Sequence, residues 1–357
     1  MASLDSQLLF DLLSTPSVTG FEAPGQRVWS SYVANHADRV ESDAYGTAWA
    51  TLDGQAERPR LMLEAHVDEI GFMVQHITDE GFLHIVAVGG SDKAIARARR
   101  VHVFGDNGRV TGVIGHTAIH LRNRRNDKVP KWEDLYIDIG ASSADEVREQ
   151  GIRVGHHAVY AEGPEELRDG HIVGRAIDNR LGGYIIAQVM KKLAHAGGRP
   201  AATVFAVNSV QEEIGGHGAK MITHRLRPDV ALCFDVTHAT DTPGVSKAKY
   251  GNVKIDGGPT LNHGSANHPV VVQRLIAVAE QHDLPIQHEA NSRYTGTDTD
   301  KIFNSRSGVP SALISVPLRY MHSPNERISM QDVAQCVDLL TAFVHDLQAD
   351  EDFAVAL

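Results

Sequence analysis

Strand-like and helix-like segments alternate at both ends of this chain, and a long stretch of short β-like runs separates the two ends. Near the start, "SLDSQLLFDLLSTPS" places Leu4, Leu8, Leu9 and Leu12 on one side and stops at Pro16, the pattern of an amphipathic helix followed by a breaker. "FEAPGQRVWSSYVANHA" reads as a second helix, and Leu61–Ala65 as a continuous apolar strand. From Gly71 to about Ala161 the texture changes to "GFLHIVAVG", "ARRVHVFG", "GRVTGVIG" and "HHAVYAEG". These runs are broken by glycines, by the charged loop "LRNRRNDKVPKWED" and by a helix-like "SADEVREQ". Short strands so closely spaced predict a small all-β module. Beyond it, "DNRLGGYIIAQVMKKLAHAG", "ATVFAV", "DVALCF", "PVVVQRLIAVAEQHD", "SALISV" and "SMQDVAQCVDLLTAFVHDL" restore the alternation. Apolar strands separated by helices predict an α/β fold, a mostly parallel sheet covered on both faces. The β module is then an insertion, dividing the chain into 1–69 and 169–357 for the α/β domain and 70–168 for the inserted one.

At 357 residues the chain can bury a large core. The net charge of -11 argues against nucleic acid and anionic membrane surfaces as partners. No run of roughly 18 apolar residues predicts a membrane span, and the N-terminus lacks the basic start and apolar stretch of a secretory signal. Cys233 and Cys336 both sit in apolar segments, so buried free thiols and a reducing, cytoplasmic setting are the expectation.

In open α/β sheets ligands bind beyond the carboxyl ends of the strands, and the residues there share a chemistry. His66 and Asp68 follow "LMLEA"; Glu212 and Glu213 follow "TVFAVNSV"; Asp235 follows "VALCF"; His322 follows "SALISV" by way of "PLRYM". Asp178 precedes the helix at Leu181. Each has an ordinary explanation alone. Asp178 is a possible helix cap, Glu212 and Glu213 possible solvated loop acids, His66 and His322 packed or surface histidines. Together they would have to gather at one sheet edge by accident. Imidazole with carboxylate suits zinc, cobalt or manganese, and this many donors suggests two ions bridged by a carboxylate.

In this order "EAHVDEIGFMV", "GRAIDNRLGG", "VQEEIGGHGA", "CFDVTHATDTPG", "YTGTDTDKI" and "VPLRYMHSPNERIS", with "LLSTPSVTGFE" near the start, resemble the metalloaminopeptidases of metallopeptidase family 42. That family includes the tetrahedral and glutamyl aminopeptidases, some carrying an old endoglucanase label. The resemblance covers nearly the whole chain. It implies a zinc-peptidase-like α/β domain with an inserted β-barrel-like domain, which agrees with the insertion read above.

The resemblance further implies two divalent metal ions per subunit. His66, Asp178 and Asp235 would hold one; Glu213 and His322 would hold the second, with Asp178 bridging. Asp68 would orient the His66 imidazole, Glu212 would be the general base, and "YTGTDTD" would contribute to the pocket for the N-terminal residue. This chain departs from the family at Gly216–His217, where Leu-Arg is frequent, and at Thr299, where Ala is frequent. The implied activity is removal of N-terminal residues from short peptides by a homo-oligomer, either a dodecamer of dimers with the inserted domain at the contacts or a dimer. The alternatives are a metal-dependent deacylase of N-acyl amino acids on the same site, or a non-catalytic metal-binding scaffold. A glycosidase fits poorly, since such enzymes flank the sugar with two carboxylates and need no His–carboxylate cluster.

Overall fold

The computed structural model describes residues 4–122 and 128–357; Ser3 of the first predicted helix and residues 123–127 of the charged loop lie outside the described residues. Helices α1 (Ser6–Ser14) and α2 (Ala23–Val33) precede strands β1 (Arg39–Ser42), β2 (Ala48–Leu52) and β3 (Arg60–His66). Strands β4 (Gly71–Ile77), β5 (Leu83–Val88), β6 (Arg100–Gly105), β7 (Gly108–Ile114), β8 (Tyr136–Asp138) and β9 (His157–Tyr160) follow, with short helices α3 (Lys93–Ala96) and α4 (Ala144–Glu149) among them. Next come β10 (Glu165–Glu166), β11 (His171–Gly174), α5 (Ile177–His195), β12 (Thr203–Ser209), α6 (His217–Leu226) and β13 (Val230–His238). The last third holds α7 (Lys247–Tyr250), β14 (Thr260–His263), α8 (Pro269–Gln281), β15 (Gln287–Ala290), α9 (Thr299–Ile302), β16 (Ser311–Leu318), β17 (Glu326–Ser329) and α10 (Met330–Asp346).

The main sheet has eight strands in the order β1-β2-β12-β3-β13-β16-β14-β15. At its centre β12, β3, β13 and β16 are neighbours and all parallel, so their carboxyl ends meet along one edge. Strand β3 shows why its apolar run is continuous. Leu61, Leu63 and Ala65 pack into the core that α1, α2, α5, α8 and α10 cover, while Met62 packs with Ala219 and Ile222 of α6 and Ile302 of α9 on the opposite face. A strand buried on both sides has no polar face to display. Helix α1 obeys its predicted face: Asp5 caps it by accepting from the Leu8 N–H at 3.3 Å, and Leu8, Leu9, Leu12 and Leu13 are buried.

The β-like stretch closes into a six-stranded barrel, β4-β5-β8-β7-β6-β9. It has its own core, including Phe72, Val74, Leu83, Val101, Val103 and Ile137. A third, three-stranded sheet, β10-β11-β17, carries Glu326. That sheet, the antiparallel β1–β2 edge and the β14–β15 edge were absent from the sequence reading. Cys233 and Cys336 are buried free thiols, as expected. Among the described residues no helix is long and apolar enough to cross a membrane.

Candidate metal centre

His66 ends β3 and is 2% exposed. Its Nε2 lies 3.4 Å from Asp178 Oδ1 and 4.0 Å from Asp235 Oδ1. Its Nδ1 lies 3.1 Å from the Asp68 carbonyl and 3.5 Å from the Asp68 carboxylate. A proton on Nδ1 donated to that carbonyl leaves the Nε2 lone pair facing the carboxylates. The Asp68 carboxylate has further partners. It accepts from the Thr19 hydroxyl at 2.8 Å and from the backbone N–H groups of Glu212 and Glu213 at 3.0 and 3.2 Å. Asp68 therefore ties the end of β3 to the loop after β12.

Asp178 stands at the start of α5, where Asp178 and Asn179 depart from helical geometry. The capping role suggested for Asp178 belongs to its neighbour: Asn179 Oδ1 accepts from the Gly182 N–H at 3.0 Å. The Asp178 carboxylate is thereby free to face both histidines. Its Oδ2 lies 3.4 Å from His322 Nε2, which is also 3.5 Å from Glu213 Oε2. His322 Nδ1 sits 3.1 Å from the carbonyl of Gly90, in the stretch between β5 and α3. A Cβ at Gly90 would come within 2.6 Å of that imidazole nitrogen, so no larger residue allows the contact.

The loop after β12 separates its two acids. Gln211 takes a left-handed φ of 62°, and the turn continues through Gly215 and Gly216 at 128° and 70°. At Gly216 a side chain would meet Lys301 Cγ at 2.5 Å as well, so the turn requires glycine there on both counts. Glu212 Oε2 lies 3.9 Å from His66 Nε2, while Glu213 turns toward His322. Both open on a cleft of about 760 Å³ that Tyr294, Thr295, Thr297 and Asp300 also line.

The donor atoms of His66, Asp178 and Asp235 all lie within 4.8 Å of one another, as do those of Asp178, Glu213 and His322. The electrostatics fit cations at both places. Burial drives Glu213 and Asp235 well above the ordinary carboxylate range, and the neighbouring Asp178 charge reinforces both. Burial, opposed by His66 and reinforced by Asp235, raises Glu212 to about 9. Burial would lower His322, but hydrogen bonding to Asp178 and the charge of Glu213 raise it to about 10. Burial would likewise raise Asp178, yet His322 and His66 hold it below the usual range. So many acids in one desolvated place need positive charge, and metals displace protons from such ligands. Glu213 Oε1 is buried without any hydrogen-bond partner, an orphan that a cation would satisfy.

Several functional neighbours escaped the sequence reading. Glu326 of β17 accepts from the Asp178 N–H at 3.0 Å and from the His322 N–H at 2.8 Å, so one buried carboxyl holds the backbone of both residues. Beneath the site, Ser209 Oγ lies 2.7 Å from Glu64 Oε1 and 2.9 Å from Asp298 Oδ2, and Cys233 donates to Glu64 Oε2. A serine hydroxyl has one proton, so a second proton must sit on Glu64 or Asp298 for both contacts to be hydrogen bonds. Glu326 and Asp298 do lie in the stretches "SPNERIS" and "YTGTD". Nothing local marks them as buried, since burial depends on strands far away in the chain.

The M42 glutamyl aminopeptidase family model matches residues 46–339. The lysyl aminopeptidase of Pyrococcus furiosus is 32% identical over 348 residues, covering 97% of this chain and 98% of that protein. The solved structure of the aminopeptidase APDkam598 from the archaeon Desulfurococcus kamchatkensis superposes with a TM-score of 0.89 at 33% identity, covering 96% of this chain and 94% of that one. The TET1 peptidase of Pyrococcus horikoshii, described as assembling into a tetrahedron or a large octahedral shell, gives 0.85 at 29% identity, covering 96% and 99%. With a parallel sheet, an inserted barrel and a His–carboxylate cluster where its central strands end, this chain belongs to the M42 glutamyl aminopeptidase family and is a hydrolase acting on peptides.

Proposed function

We propose that this protein is a dinuclear metalloaminopeptidase that removes N-terminal residues from short peptides. The observation that carries the reading is a pair of donor sets sharing Asp178, with Glu212 beside them and in neither. His66, Asp178 and Asp235 would hold one divalent cation, and Asp178, Glu213 and His322 the other. Zinc, cobalt and manganese all suit these donors. When bound, such ions supply Lewis acidity and a water of lowered pKa. Asp68 keeps the lone pair of His66 Nε2 aimed at its site. Burial among acids raises Glu212, but the charge of the bound cations would favour its ionised form, so Glu212, facing the cleft with its side chain 15% exposed, accepts a proton at its carboxylate from the attacking water. It then returns that proton to the departing amine. The surrounding acids favour a positively charged peptide N-terminus, which would restrict action to chain ends. Tyr294–Asp300 would shape the pocket for the first side chain. A structural metal site needs neither a general base nor an open cleft, which weighs against a scaffold role.

We place oligomer contacts on the barrel, residues 70–168, and expect a homo-oligomer as in the tetrahedral relatives. A closed shell would admit only short or unfolded peptides. A panel of aminoacyl chromogenic amides, assayed after metal removal and after adding back zinc, cobalt or manganese, tests the reading. Activity should vanish on removal and return with metal. Release of an acyl group from N-acyl amino acids, without release of amino acids from peptides, would replace it with the deacylase.

A further inference from the structure

A second cavity of about 670 Å³ lies behind the loop that carries Glu212. Gln211, His217, Lys220, His224, Asn304 and Arg306 line it, and no Asp or Glu is among its lining residues. His217, Lys220 and His224 recur at helical spacing on α6, so one face of that helix turns toward the cavity. Among the described residues no carboxylate ion-pairs with Lys220 or Arg306. In a protein of net charge -11, a concave surface with an unpaired ammonium, an unpaired guanidinium and two imidazoles is a distinct electrostatic feature.

The wall between this cavity and the acidic cleft is the loop 211–217 itself. Gln211, with its left-handed backbone, lines the cationic side, and the next residue, Glu212, lines the cleft. Gly216 and His217 divide in the same way, and Asn304 borders both. The two cavities therefore adjoin at Asn304, and a peptide, which advances roughly 3.3–3.6 Å per residue, would have to cross the rim of the loop there.

Resting on the aminopeptidase reading above, we propose that this cavity receives the C-terminal carboxylate of short peptide substrates. An unblocked peptide is positive at one end and negative at the other. The acidic cleft suits the first end and the cationic cavity the second. The pairing would favour peptides of a few residues, whose carboxylate reaches Lys220 and Arg306 while the N-terminus stays among the acids.

The test compares matched tripeptides as free acid and C-terminal amide, with the N-terminal residue that the chromogenic panel ranks highest followed by Gly-Gly. The enzyme is used metal-loaded, as wild type and as the double variant Lys220→Ala/Arg306→Ala. Wild type should show a KM about three- to tenfold lower for the acid, the scale of one or two partly screened charge contacts. The double variant should lose that preference, and its rate on a neutral chromogenic amide should not change, which shows that fold and metal centre are intact. Equal KM values for acid and amide in wild type, or a preference surviving in the double variant, would overturn the proposal. So would a gain confined to an amidated peptide with Glu at the third position, because a side-chain carboxylate would then be the ligand. If no substrate of any kind is cleaved, the peptidase reading fails. Calorimetric binding of the same two peptides then decides the cavity separately: tighter binding of the acid by wild type only upholds it, and equal binding sinks it.

Discussion

The two donor sets share Asp178 but are built differently. His66 and Asp235 belong to central strands and are buried, with His66 2% exposed. Glu213 and His322 sit on loops, and the His322 side chain is 32% exposed. The strand-held set inherits the rigidity of four hydrogen-bonded parallel strands. The loop-held set is assembled from borrowed contacts: Asp68 fixes the Glu213 amide, Glu326 fixes the His322 amide, and Gly90 fixes the His322 ring. A ligand on a rigid element keeps its geometry at little cost, whereas a loop ligand needs outside support.

The severest way to break the contrast is to remove what the sets share. Asp178→Ala should abolish activity and strip both ions, whereas His322→Ala should leave the His66 side occupied. Elemental analysis reads both; full metal content in Asp178→Ala would end the bridging assignment. Next in size, Glu212→Gln should lower turnover by roughly 10²–10⁴-fold with both metals retained, since the amide cannot accept water's proton. Glu213→Gln should instead lower the occupancy of one metal, with partial rescue by added metal. If the two variants exchange behaviour, the roles of the adjacent acids are reversed. Chelator titration of the wild type sharpens the contrast without mutation. Loss should be biphasic, and the early phase should move to lower chelator concentration in Glu213→Gln. A single phase in both proteins would show the two sets to be equally firm. The smallest effect belongs to Glu326→Gln, which keeps one acceptor oxygen for two backbone donors. Metal affinity should fall by about 10- to 100-fold, as for supporting contacts elsewhere, and more on the His322 side than the His66 side.

That contrast also marks where the sequence was informative. The central strands were legible because burial on both faces leaves an uninterrupted apolar run, as at Leu61–Ala65, and because polar residues follow such runs abruptly. The barrel was legible from glycine-bounded runs of β-like residues. The edges were not. Strand β1, "RVES", is mostly exposed and β15, "QHEA", is polar, so neither has an apolar face for periodicity to detect. The donor set at the strand ends was legible by chemistry and position, and the family resemblance supplied the roles. Of its supports the resemblance named Asp68, but Glu326 and Gly90 were opaque, because they act through contacts that join distant parts of the chain. A glycine before Ser91 reads as an ordinary turn until the His322 ring is found against it.

The Gly90 contact bears on how such a protein can diverge. Inserted modules generally drift freely in length and composition, since the host fold does not depend on their surface. Residues 89–90 of this insertion are an exception. There a Cβ at 89 would meet Ile70 at 2.8 Å and crowd Glu213 at 3.2 Å, and one at 90 would meet the His322 ring at 2.6 Å. A side chain at this junction would therefore displace the His322 ring, although the junction belongs to the insertion and the histidine to the α/β part of the chain.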